Sequence, residues 1–125
     1  MTREGERRFT VEEANAELEE LRTALARIRE ARQVILRSGE RIRSAAPSDG
    51  GGEDAGPYLD ALTTLRREME RITERGIVVR DAESGLVDFP AEREGRAVFL
   101  CWRLGEEAVA WWHPPETGFP GRRPL

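Results

Sequence analysis

Residues 97–113 read AVFLCWRLGEEAVAWWH. Two runs rich in β-branched and aromatic side chains, 97–104 and 108–113, flank Gly105-Glu106-Glu107, which is the pattern of two strands joined by a turn. The loop length decides which side chains meet. A two-residue turn on Gly105-Glu106, which glycine at the first position favours, sets Leu104 opposite Glu107, Cys101 opposite Ala110 and Val98 opposite His113. Cys101 and His113 then lie on opposite faces. A three-residue loop instead sets Cys101 opposite Trp111 and Phe99 opposite His113, bringing thiol and imidazole to one face, a diagonal step apart. The expectation is an antiparallel hairpin with the tight turn.

Extended structure is expected from Gly76 onward. Ile77-Val78-Val79-Arg80 and Leu86-Val87-Asp88-Phe89 are short strand candidates around the turn-prone Asp81 to Gly85, and Pro90 should end the second. Residues 114–125 carry four prolines and two glycines, so they should be irregular and pack on the sheet without adding to it.

Before Gly76 the periodicity is helical. Thr10 can cap a helix and Glu13, three residues on, can close a capping box, with Phe9 and Ala14 as the hydrophobic staple. Ala14, Leu18, Leu21, Leu25, Ile28, Ile35 and Ile42 then follow a 3.5-residue period, interrupted at Arg32 and Gly39, as in a coiled coil. A second helix is marked by Pro57 in its first turn, by Leu59, Leu62, Leu65, Met69 and Ile72, and by Gly76 past its end. The fold class is therefore α+β, a long antiparallel helical hairpin followed by a small antiparallel β-sheet and an irregular tail. One domain is divided into an arm (1–9), helix 1 (10–43), a flexible glycine-rich loop (44–56), helix 2 (57–75), a β-rich segment (77–113) and the tail (114–125).

With 125 residues the chain fits one domain and buries only about two-thirds of its unfolded surface. A formal charge of -4 and an isoelectric point near 5.2 argue against a nucleic-acid binder. All 20 basic residues are arginine, a bias of genome composition more than of binding. The single cysteine excludes an internal disulfide and suits a reducing compartment. The charged start MTREGERRFT lacks an apolar core, and no stretch is long enough to span a membrane, so a cytoplasmic location is expected.

The shorter second helix can cover only part of the first, leaving Leu18, Leu21, Leu25 and Ile28 for either the β-rich segment or a second chain. Heptad spacing, with glutamates early and arginines late in helix 1, favours antiparallel pairing with a second copy, a homodimer with those four residues at the interface. The chain thus reads first as a non-catalytic interaction or structural module that self-associates through its helices.

The alternative is a small ligand- or metal-binding enzyme with its site around Asp88, Cys101, Arg103 and His113. Cys101 and His113, with Asp88 or Glu107, supply the thiolate, imidazole and carboxylate of a zinc site or a Cys-His nucleophile pair. Arg103, Arg122 and Arg123 could grip an anionic ligand. Trp102, Trp111 and Trp112 are expected in the core, and Gly50-Gly51-Gly52 lacks the lysine of a phosphate loop. With no motif ordering these groups, the sequence leans away from an enzyme.

The runs Gly85-Leu86-Val87-Asp88-Phe89-Pro90, Leu100-Cys101-Trp102-Arg103-Leu104-Gly105-Glu106, Trp112-His113 and Gly118-Phe119-Pro120-Gly121-Arg122, with the opening Phe9-Thr10-Val11-Glu12-Glu13-Ala14-Asn15, resemble an uncharacterised bacterial family catalogued as domain of unknown function 2203. The resemblance covers nearly the whole chain apart from the glycine-rich loop. It implies no established activity and assigns no residue a catalytic role.

Overall fold

The computed structural model describes residues 7–44 and 55–125, so most of the loop expected over 44–56 lies outside the described residues. Helix formation starts as the capping box dictates: the Glu13 amide donates to the Thr10 hydroxyl at 3.0 Å and the Thr10 amide to the Glu13 carboxylate at 2.9 Å. The single helix expected over 10–43 is broken at Glu17 into α1 (Val11–Ala16) and α2 (Leu18–Ser44). The buried Glu17 carboxylate accepts from Arg75 Nε at 2.6 Å, which ties the break to the end of α3 (Ala55–Glu74). Further along, the buried Glu68 carboxylate lies 3.7 Å from Arg27 and 3.5 Å from Arg71, so α3 runs antiparallel to α2. Gly76, at φ 87°, ends α3 in the left-handed region that glycine tolerates.

Five antiparallel strands follow as a meander in chain order: β1 (Val78–Asp81), β2 (Leu86–Arg93), β3 (Arg96–Arg103), β4 (Trp111–His113) and β5 (Arg123–Pro124). Pro90 does not end β2 as expected. In an antiparallel strand the N–H and C=O of one residue point the same way. The Pro90 carbonyl accepts from the Phe9 amide at 2.7 Å, so the missing N–H faces the N-terminal segment and the β2–β3 ladder loses nothing. Glu94 and Gly95, at φ 53° and 77°, make the two-residue turn that lets β2 and β3 pair along their whole length.

The turn expected at Gly105-Glu106 is also corrected. β3 ends at Arg103 and β4 begins only at Trp111, yet Phe99 pairs with His113 and Cys101 with Trp111, the register of the three-residue alternative. The longer connection is held by side chains. Glu106 accepts from the Arg103 amide at 2.8 Å, Trp102 Nε1 donates to the Glu106 carbonyl at 3.0 Å, and the Val109 amide donates to Asn15 Oδ1 at 2.8 Å. The tail is mostly irregular, with a 3-10 turn at Phe119–Gly121, but it does add to the sheet through β5, which pairs with Trp111 and Trp112.

One face of the sheet, carrying Val87, Phe89, Ala91, Val98, Leu100 and Trp102, packs against Leu18, Leu21, Leu25 and Ile28. Those four residues are therefore inside the single chain's core. The sheet covers them, which removes the ground for placing a second chain there. The leucines that the helices leave exposed, Leu36, Leu59 and Leu62, lie on the halves of α2 and α3 nearest their connection. Among the described residues, no helix is long and apolar enough to cross a membrane.

Candidate metal centre

The other face of the sheet carries the chemistry. Asp88 sits directly opposite Cys101 in the β2–β3 ladder, and His113 lies a diagonal step from Cys101 across the β3–β4 ladder. All three side chains point away from the helices, and all three are at most 2% exposed. One donor atom from each, a carboxylate oxygen, Sγ and a ring nitrogen, lies within 4.8 Å of the other two. Among the described residues they form the one such group of three or more His, Cys, Asp or Glu side chains.

The hydrogen bonds around the group leave a proton to be accounted for. His113 Nε2 lies 3.0 Å from Asp88 Oδ2, which also accepts from Arg80 Nε at 2.8 Å, while His113 Nδ1 lies 2.8 Å from the Pro114 carbonyl. A carbonyl only accepts, so Nδ1 carries hydrogen, and a neutral ring then presents a bare Nε2 to the carboxylate. Either a second proton sits between Nε2 and Oδ2 or a cation meets Nε2 in its place. The remaining carboxylate oxygen, Asp88 Oδ1, is buried without a hydrogen-bond partner among the described residues, an unusual condition for a carboxylate. Phe99 closes the side of the ring, with centroids 5.5 Å apart.

Burial pushes the Cys101 thiol up to about 12, the Asp88 carboxylate adds to the shift, and the Arg122 guanidinium opposes it. Burial thus favours the neutral thiol over the thiolate, the form that acts as a nucleophile. The native state holds its thiol proton more tightly than the unfolded chain, whose ordinary value is 9.0. The stabilisation from the neutral thiol is therefore complete below about pH 9 and lost as pH rises towards 12. Urea denaturation across that window should show a loss of stability in the metal-free wild type that Cys101→Ala lacks; equal slopes in the two proteins would contradict this placement of the thiol.

The other expected site residues fall at the rim. Arg103 is exposed, its guanidinium 5.1 Å from the centre of the Phe119 ring. Arg122 lies over both Trp111, at 4.6 Å, and Phe119, at 4.7 Å, and its Nη2 donates to Glu106 at 2.6 Å. Arg123 lies over Trp112, so the three arginines do not converge on one anion. Glu107 is not part of the group; its carbonyl accepts from Arg22. Arg80 and Glu106 were missed as contributors, because the bulge between Val79 and Asp81 and the folded 104–110 connection have no local sequence mark. A cleft of about 630 Å³ lies between α2 and α3, on the helical side of the sheet, and its buried glutamates, Glu17 and Glu68, are already paired with arginines.

No curated protein and no solved structure matches the chain. A family model described as an uncharacterized conserved protein matches residues 7–125, taking in the helices, the sheet and every residue of the buried group. The chain belongs to that family, domain of unknown function 2203.

Proposed function

We propose that this chain binds a divalent cation of the zinc class through Asp88, Cys101 and His113, and that the cation ties β2, β3 and β4 together. The observation that carries the reading is the convergence of three different ligand types on one buried point with Asp88 Oδ1 left unpartnered. Zinc sits about 2.0–2.3 Å from sulfur, nitrogen and oxygen ligands, so its ligands stand roughly 3–4 Å apart, a modest contraction of the present group. A thiolate and an imidazole beside one carboxylate suit zinc better than magnesium or calcium, which take mainly oxygen. The imidazole is already oriented from behind: its Nδ1 meets the Pro114 carbonyl, the outer partner that ligating histidines commonly have. Arg80 holds Oδ2 and leaves Oδ1 for the cation.

Cobalt(II) is the probe that tests this coordination. Titrated into metal-free protein, it should give the intense visible bands of a tetrahedral site and a thiolate charge-transfer band in the near ultraviolet. The charge-transfer band should vanish in Cys101→Ser, while Arg103→Ala keeps it. The pale spectrum of the hexaaquo ion, unchanged by protein, would refute the site.

A further inference from the structure

The buried group faces away from the helices, yet it is as buried as the core, so something other than the helices covers it. The chain leaves β4 at His113 and returns to the same strand at Arg123, which pairs with Trp112. Residues 114–122 are therefore a closed loop with both ends pinned to β4, laid against the outer face. Its backbone hydrogen bonds close within itself: Thr117 to Pro114 at 3.3 Å, Gly121 to Gly118 at 3.0 Å and Arg122 to Phe119 at 3.1 Å. Gly121 is packed so tightly that a Cβ there would stand 2.3 Å from Thr117 Cβ, so the loop holds one shape as a unit.

What fastens the unit to the sheet is side-chain chemistry. Arg122, only 9% exposed, makes a forked contact with the Glu106 carboxylate, at 2.6 and 3.4 Å, and is sandwiched between Trp111 and Phe119. Trp111, on which Arg122 stacks, stands directly opposite Cys101 in the β3–β4 ladder and so shares its face, which sets the fastening beside the buried group.

We propose that residues 114–122 form a strap gating the buried group, latched by the Arg122–Glu106 pair, and that thiol access and cation exchange both proceed by its release without unfolding of the sheet. The exchange half rests on reading Asp88, Cys101 and His113 as cation ligands; the access half does not. Local openings of this kind cost less than global unfolding and draw on segments held by few contacts.

Cys101 is the one cysteine in the chain, so a disulfide reagent reports on it alone. In metal-free protein, Arg122→Lys and Glu106→Gln each keep a polar side chain but lose the forked, stacked latch. Both should react about tenfold faster than wild type, with unchanged far-ultraviolet circular dichroism and a rate insensitive to urea below the unfolding transition. Rates within about twofold of wild type, or rates that climb with urea along the global unfolding curve, would overturn the strap. In cobalt-loaded protein, the same variants should release the metal to a chelator faster by a similar factor. Wild-type protein that takes up no cobalt while its latch variants still expose the thiol would overturn the cation reading and the exchange half with it, leaving the strap as the cover of Cys101.

Discussion

Asp88→Ala is expected to lower the stability of the metal-free protein by about 3 kcal/mol, at the low end of the range for breaking a buried ion pair. The carboxylate is the common partner of His113 and Arg80, and its removal takes from the buried His113 ring the partner of its Nε2. Arg80 softens the loss, because its side chain is 44% exposed and can turn to water. Against a total of roughly 5–15 kcal/mol for a domain of this size, the change should be plain in a urea unfolding curve. Asp88→Asn keeps the shape and a hydrogen-bonding capacity and should cost only about 1 kcal/mol, because a buried polar group costs most when left unmatched. An alanine variant as stable as wild type would show that the Arg80–Asp88–His113 network contributes nothing to holding β1, β2 and β4 together.

Leu25→Glu is expected to abolish folding. Leu25 is 1% exposed, between α3 and the helical face of the sheet, so the substitution combines the lost packing of a core leucine, about 3 kcal/mol, with a buried charge that has no partner. The two together take up most of the stability available to the chain. Circular dichroism of the variant should show an unfolded chain. A well-folded monomeric variant of a dimeric wild type would instead place Leu25 between chains and contradict the single-chain core.

That prediction touches the main difference between sequence and structure. The 3.5-residue spacing from Leu18 to Ile28 correctly marks a buried helical face, but a period reports that a face is covered and not by what. Here the cover is Val87, Phe89, Leu100 and Trp102, from a sheet that begins some fifty residues later and whose strand directions no helical pattern encodes. The capping box at Thr10 and Glu13 and the glycine stop at Gly76 were legible because they are local chemistry. The break at Glu17 was not, since its partner Arg75 is distant in sequence.

The candidate site was legible in its parts and not in its assembly. Asp88, Cys101 and His113 stood out as the residue types that carry chemistry, yet whether thiol and imidazole share a face turned on one residue of register. That register is accompanied by one contact remote from the turn, Asn15 on the Val109 amide, and by side-chain contacts within the connection, those of Glu106 with Arg103 and Trp102, that a turn pattern does not encode. Asp88 could be placed opposite Cys101 only once Pro90 was known to continue its strand, and Pro90 is tolerated because Phe9, far away in the chain, takes its carbonyl. Arg103 and Arg122 carry equal charge, but only the second has its side chain largely covered, against Trp111, Phe119 and Glu106.

The most direct measurement is the metal content of the protein purified without added metal or chelator. The account predicts about one zinc per chain, lost in Cys101→Ala and His113→Ala and kept in Arg103→Ala, with a chelator lowering the unfolding midpoint of the wild type because a ligand that binds only the folded state stabilises it. Metal-free wild-type protein whose unfolding curve is unmoved by added zinc would contradict it.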